Sequence, residues 1–189
     1  VAITLIVGLG NPGTRYIGTR HNAGFWLVEQ LVAQVGEQFR AESKFFGEIC
    51  RVETANLKYW LLKPTTFMNR SGQAVAALAN YYKIPVEEIL VVHDDLDFPV
   101  GTIRLKQGGG DCKHNGLKDI IARLGSNAFL RLRIGIGHPG RSSEVAHYVL
   151  DFPSREEQVT IQSALDVALK VMPLVIAGDI EKAMLQLHT

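Results

Sequence analysis

Ile3 to Leu9 forms a nearly continuous apolar run bounded by turn residues, the pattern of a short strand buried on both faces of a largely parallel sheet. Its carboxyl end opens into Gly8, Gly10, Asn11, Pro12 and Gly13. Phe25, Val28, Leu31, Val32 and Val35 then recur at helical spacing, with Asn22 as a cap and Gly36 as a stop, which predicts the first helix. Phe45 to Thr54 and Lys58 to Leu62 are rich in aromatic and branched residues around Ala55 and Asn56. They read as a hairpin that Lys63 and Pro64 end. The polar stretch Thr65 to Arg70 leads into a helix from Ser71 to Tyr82 with Val75, Leu78, Ala79 and Tyr82 on one face, so Asn69 sits beside a helix start.

Ile89 to His93 is a second buried-strand pattern, and it runs into what reads as a loop containing Asp94, Asp95 and Asp97. Thr102 to Lys106 and Arg131 to Ile136 alternate, placing Arg104 with Lys106, and Arg131 with Arg133, on the faces opposite their apolar residues. Between them lie Gly108, Gly109, Gly110 and a helix from Asn115 to Leu124. Ser154 and Glu157 form a capping-box pair before an amphipathic helix that Pro173 should kink or end, and a short final helix follows from Asp179. Strands alternating with helices imply a mixed α/β sheet with helices packed against it.

At 189 residues and 47% hydrophobic, the chain suffices for a substantial core in one domain over 1–189. No uninterrupted apolar run approaches the roughly 18 residues of a membrane helix. Cys50 and Cys112 are too few for a disulfide framework or a cysteine-based zinc site. A soluble cytoplasmic protein is expected. The net charge of +1 conceals an asymmetry. Thr102 to Arg141 holds eight Lys or Arg residues against two acids, so this segment is +6 and the remainder −5. A basic concentration of that kind is an electrostatic footprint for a polyanion, with nucleic acid the foremost candidate.

Ligands of open α/β sheets collect outside the carboxyl ends of strands, which directs attention to Asn11 and His21. GLGNPG matches GxGxxG in form only. The dinucleotide fingerprint needs its third glycine to open a helix at once, whereas Pro12, Gly18 and the polar TRHN postpone the helix to Asn22. Asp94, Asp95 and Asp97 raise Mg²⁺ or a carboxylate nucleophile, but three acids in a post-strand turn are a weak signal, and turn formation alone explains many such clusters. Cys112 near His114 raises a thiol nucleophile, against which stands the usual inertness of a loop cysteine. A hydrolase built on His21 needs less: a general base, one aspartate orienting it, and donors for an oxyanion. Asn11, Asn69 and Asn115 supply amide donors in loops or at helix starts. Each alone is an ordinary turn or cap residue; their joint placement carries the argument.

Taken together, GLGNPGTRYIGTRHNAGF, KPTTFMNRSG, HDDLD, GGG, HNGLKDI and RLRIGIGHP resemble the bacterial peptidyl-tRNA hydrolase family over nearly the whole chain. The resemblance implies a monomeric α/β protein with a mixed twisted sheet, free of metal and cofactor. It implies cleavage of the ester that joins a stranded peptide to the 3′ ribose of tRNA. By motif, His21 resembles the family's general base, Asp94 the carboxylate that holds it, and Asn11 the residue that senses a blocked amino group. Asn69 and Asn115 resemble substrate and oxyanion contacts, with Tyr16, Phe67 and Met68 lining the same cleft. Lys106 and Arg133 resemble a clamp on the 5′ phosphate of tRNA. The helices after Gly110 and after Ser154 resemble a gate and a lid. One departure stands out: where the family commonly reads GGGHGGHNG, this chain has GGGDCKHNG from Gly108 to Gly116. Exchanging two glycines for Cys112 and Lys113 predicts a stiffer gate, with Lys113 as an added phosphate contact.

Overall fold

The computed structural model describes residues 1–188. One seven-stranded sheet runs through them, ordered β2-β3-β4-β1-β5-β7-β6. The strands are β1 Leu5–Gly8, β2 Arg40–Glu42, β3 Gly47–Glu53, β4 Lys58–Pro64, β5 Ile89–Asp95, β6 Ile103–Gln107 and β7 Leu130–Gly135. β1 pairs in parallel with β4 and β5, and β5 with β7, while β2, β3 and β6 join antiparallel at the two edges. The sheet is therefore mixed, as the sequence implied.

Its central strands are apolar on both faces because each face carries a helical layer. Ile6, Leu90 and Val92 pack with Leu27 and Val28 of α1 (Ala23–Gln34) and with Ile161 and Leu165 of α5 (Arg155–Ile176). Leu5, Val7, Ile89 and Val91 pack with Val75 and Leu78 of α2 (Ser71–Tyr81) and with Leu117 and Ile120 of α3 (Asn115–Leu124). The short α4 (Val145–Val149) and α6 (Ile180–Leu187) complete the set. α1 lies unusually close to the sheet. A Cβ on Gly24 would come within 2.3 Å of the Val92 carbonyl oxygen, and one on Gly8 within 2.5 Å of the Gly24 carbonyl oxygen. Only glycine permits that approach, and it brings the turn preceding α1 over the carboxyl end of β5.

Several expectations change. The hairpin does not end at Lys63 and Pro64; β4 runs through both, and Pro64 pairs with Gly47 at the strand's end. Pro173 does not end α5, which continues to Ile176 and closes with Ala177 N–H donating to the Pro173 carbonyl. A helix-interior proline costs about 3 kcal/mol, while burying a large aliphatic side chain returns about 1.5–3 kcal/mol, and Val171, Met172, Val175 and Ile176 are all buried around it. α5 also qualifies by length and composition as a membrane span, with a mean hydropathy of 1.6 in its most apolar window. Its apolar stripe is already spent on the sheet, so the same composition is that of a core helix. Asp94 and Asp95 lie within β5, paired in register with Ile134 and Gly135, rather than in a loop after it. Finally, Arg131 is not part of a basic surface. It is 1% exposed, and its guanidinium donates to the carbonyls of Asn127, Phe129, Gly109 and Gly110.

Candidate active site

His21 sits on a single helical turn, Arg20–Asn22, that leads into α1. The turn is fixed from two sides. Arg20 reaches the Tyr148 carbonyl and Glu157, tying it to α4 and α5. Asn22, expected as a helix cap, makes no capping bond. Its Oδ1 instead accepts from Asn11 N–H at 2.8 Å and its Nδ2 donates to the Asn11 carbonyl at 3.0 Å. Asn11 in turn accepts from Met68 N–H at 2.7 Å through Oδ1. Three distant segments are thereby held in one chain of short hydrogen bonds.

At the centre lies Asp94, 2% exposed. His21 Nδ1 is 2.9 and 3.0 Å from its two carboxylate oxygens, and His114 Nε2 is 2.9 Å from Oδ1. The tautomers follow from the surroundings. His114 is the N-cap of α3, and its Nδ1 accepts from the N–H groups of Gly116 at 3.1 Å and Leu117 at 3.4 Å. An atom accepting two N–H groups carries no proton, so the proton of neutral His114 is on Nε2 and is donated to Asp94. His21 likewise directs Nδ1–H at the carboxylate, which leaves the lone pair of Nε2 for the cavity. Burial opposes charge on Asp94, but the two imidazoles outweigh it and hold the carboxyl well below the usual range. Burial also opposes the imidazolium of His21; the charge and hydrogen bond of Asp94 prevail and raise its pKa. His93, fully buried, is lowered to about 4 by burial and by the neighbouring His114. Its Nδ1–H donates to the Asp94 carbonyl at 2.8 Å.

A cavity of about 270 Å³ opens beside this group, lined by His21, Asp94, His114 and Asn115 with Leu96, Val145 and Val149 as its apolar wall. Asn115 is exposed at the start of α3. Asn11 lines a second cavity, with Phe25, Glu29, Glu48 and Lys63. Near it, Tyr16 and Phe67 meet edge to face at 6.1 Å between ring centres. Met68 is buried, and Asn69 beside it is exposed. Lys106 is exposed on the edge strand β6, where it stands opposite Arg131, while Arg133 stands opposite Arg104. Arg133 donates through Nε to Asp95 at 2.7 Å, so part of its charge is already matched. The candidate site residues thus fall into a carboxylate and imidazole group around Asp94, an asparagine and aromatic group reached through Asn11, and a basic pair farther along β6 and β7.

Comparison with known proteins decides the family. A family model described as peptidyl-tRNA hydrolase matches residues 5–189. The chain belongs to the peptidyl-tRNA hydrolase family. It is 58% identical over 187 residues to a peptidyl-tRNA hydrolase of Methylobacillus flagellatus, covering 99% of this chain and 97% of that protein. It is 54% identical to one of Neisseria meningitidis with the same coverage. The crystal structure of peptidyl-tRNA hydrolase from Acinetobacter baumannii superposes with a TM-score of 0.94 at 48% identity, covering 98% of this chain and 94% of that one.

In this peptidyl-tRNA hydrolase family member, His21, Asp94 and His114 offer three ligand atoms within 4.8 Å of one another. They do not fit a metal as they stand. A metal on His114 Nε2 would drive the proton to Nδ1, where the N–H groups of Gly116 and Leu117 already donate. Asp94, Asp95 and Asp97 fit no better, because adjacent strand residues face opposite ways: Asp94 turns to the histidines, Asp95 to Arg133 and the Asp97 N–H. His114 and Asn22 are the members that the sequence did not disclose. The signal for His114 was present in its position just before the α3 start, where a side-chain acceptor is needed.

Proposed function

We propose that this protein hydrolyses the ester between a peptide, or an N-blocked amino acid, and the 3′ ribose of tRNA, with His21 as general base. The observation that carries the reading is His21 Nδ1 bound to Asp94 at 2.9 Å beside a cavity that His21 lines, which leaves Nε2 as the nitrogen to act. Nε2 takes a proton from water as its oxygen attacks the ester carbonyl carbon. The tetrahedral intermediate collapses by breaking the bond to the ribose oxygen, which leaves with a proton. Asn115 and Asn69 supply amide donors to the substrate and the developing oxyanion. Asn11 has committed Oδ1 to Met68, so Nδ2 is left to donate to the carbonyl of a blocked amine, which a free ammonium lacks. Tyr16, Phe67 and Met68 shape the same approach, and Lys106 with Arg133 hold the 5′ phosphate. The protein acts as a cytoplasmic monomer without metal. The test is to incubate it with N-acetylaminoacyl-tRNA in EDTA and follow free tRNA. Release in EDTA supports the reading; release only after adding a divalent ion overturns the metal-independent mechanism, and tRNA binding without release overturns the hydrolysis.

A further inference from the structure

The cavity beside His21 is lined by Asp94 and Asp95, whose side chains are both buried, and by a single lysine or arginine among the described residues, Lys113. Asp94 is compensated by two imidazole N–H groups and Asp95 by Arg133. Lys113 enters no ion pair among the described residues. Its backbone is held with care. Cys112 and Lys113 both have positive φ, 53° and 59°, and the His114 N–H donates to the Asp111 carbonyl at 2.8 Å across them. This is a tight turn with two left-handed central positions, a conformation that glycine or asparagine adopts more readily. Asp111 supports it, accepting the Lys113 N–H through Oδ1 at 2.9 Å. One residue later His114 is anchored on Asp94, so the lysine stands at a defined place on the catalytic wall. A non-glycine residue kept in a strained conformation beside a site is reason to ask what its side chain does there.

We propose that Lys113 binds an internucleotide phosphate in the single-stranded 3′ end of the RNA substrate, next to the ester being cleaved. The ligand's identity rests on the proposed hydrolysis of tRNA esters. A polyanionic strand entering this cavity meets one lysine on its wall whose charge enters no ion pair among the described residues, and that lysine is Lys113. An ammonium on a flexible stem accepts a phosphate from several directions, which suits a strand that must enter and leave.

The experiment compares binding of fluorescent CpCpA, which carries internucleotide phosphates but no acceptor-stem 5′ phosphate, with binding of fluorescent adenosine, which carries none. K113Q and K113G should both weaken CpCpA binding and leave adenosine unaffected, while K113R keeps the affinity. The slope of log K against log salt should flatten by about 0.7, the value for one contact to a single strand. A fourfold rise in salt then shrinks the variant's deficit about 2.6-fold. Wild-type affinity in K113G with loss in K113Q would assign the effect to turn geometry and overturn the proposal, as would an unchanged slope or an equal loss for adenosine. Hydrolysis of N-acetylaminoacyl-CpCpA by the wild type is read separately: its absence sinks the proposed function, while the phosphate comparison still stands or falls on its own slopes.

Discussion

Replacing Asp94 by asparagine should do more than remove a charge, because two histidines donate to that carboxylate and an amide has only one oxygen. His114 cannot change its tautomer without losing the cap of α3, so its Nε2–H keeps the acceptor, at the position of Oδ1. The amide nitrogen then falls at the position of Oδ2, 2.9 Å from His21 Nδ1. Nδ1 then faces the amide N–H at 2.9 Å as well as the shared oxygen at 3.0 Å, and relief of the clash between two donors moves the proton to Nε2, the atom proposed to take one from water. Where an aspartate sets a catalytic histidine's tautomer, its conversion to asparagine lowers kcat about 10⁴-fold, equivalent to about 5.5 kcal/mol.

The structure also predicts a rescue. His114→Asn retains a side-chain oxygen to cap α3 but is too short to repeat the bond to residue 94. In Asp94→Asn with His114→Asn, the new amide at 94 is free to turn its oxygen toward His21 and restore the productive tautomer. What remains lost is the difference between a charged and a neutral hydrogen bond, about 1–1.5 kcal/mol or roughly tenfold. The double variant should therefore exceed the Asp94→Asn single variant by about 10² or more in kcat. Its acidic limb should lie at lower pH than the wild type's, since the carboxylate that raises His21 is gone and the base must be neutral to act. Single-turnover kinetics supply the rates, and ¹⁵N shifts of the imidazole identify which nitrogen of His21 is protonated. A double variant no faster than Asp94→Asn, or an unchanged tautomer in the single variant, refutes the reasoning.

Asn11→Asp keeps the acceptor for Met68 N–H but loses the Nδ2 donor, so the ratio of activity on blocked over free aminoacyl-tRNA should fall while tRNA affinity changes little; an unchanged ratio returns Asn11 to a purely structural role. Lys106→Ala should flatten the salt dependence of tRNA binding by about 0.9, and the matching test at Arg133 must pair Arg133→Ala with Asp95→Asn, because Asp95 is buried and otherwise loses its partner. A parental slope when Lys106→Ala, Arg133→Ala and Asp95→Asn are combined dismisses the clamp. His93, lowered to about 4 in the fold from an ordinary 6.5, stays neutral while the unfolded chain protonates, so its stabilising contribution is present above pH 6.5 and is lost as pH falls toward 4. His93→Asn preserves a donor for the Asp94 carbonyl without titrating, and urea unfolding should show the wild type losing about 3 kcal/mol more than this variant over that window; parallel pH profiles would exclude a neutral buried His93.

The elements were legible where burial imposes a pattern. Ile3 to Leu9 and Ile89 to His93 read as doubly buried strands because both faces meet helices, and the periodicity of α1, α2 and α5 reports one face on the sheet. Polar residues misled where a second layer covered them. Alternation rightly placed Arg131 away from Leu132 and Ile134, but one chain segment does not reveal that the carbonyls of Gly109 and Gly110 close over that face. Likewise Asp94 and Asp95 look like turn residues, and they extend β5 because β7 offers them partners in register.

The site shows the same division more sharply. His21 and Asn11 were legible because the carboxyl ends of parallel strands gather in one place, so polar residues there are neighbours in space; Asp94 was singled out from Asp95 and Asp97 only by the motif resemblance. His114 is not legible from its neighbour Cys112 because proximity in sequence says nothing of direction, and its meaning depends on a helix cap that selects a tautomer. Asn22 was read as a cap and proved to be a bracket for Asn11. Both functions are properties of pairs of segments more than ten residues apart, and they carry a common consequence. The backbone N–H groups of Gly116 and Leu117 fix the proton on His114, His114 fixes the oxygen it shares on Asp94, and that carboxylate orients His21. The local need of one helix for a capping acceptor is thereby transmitted to His21, the proposed base, which must be free at Nε2.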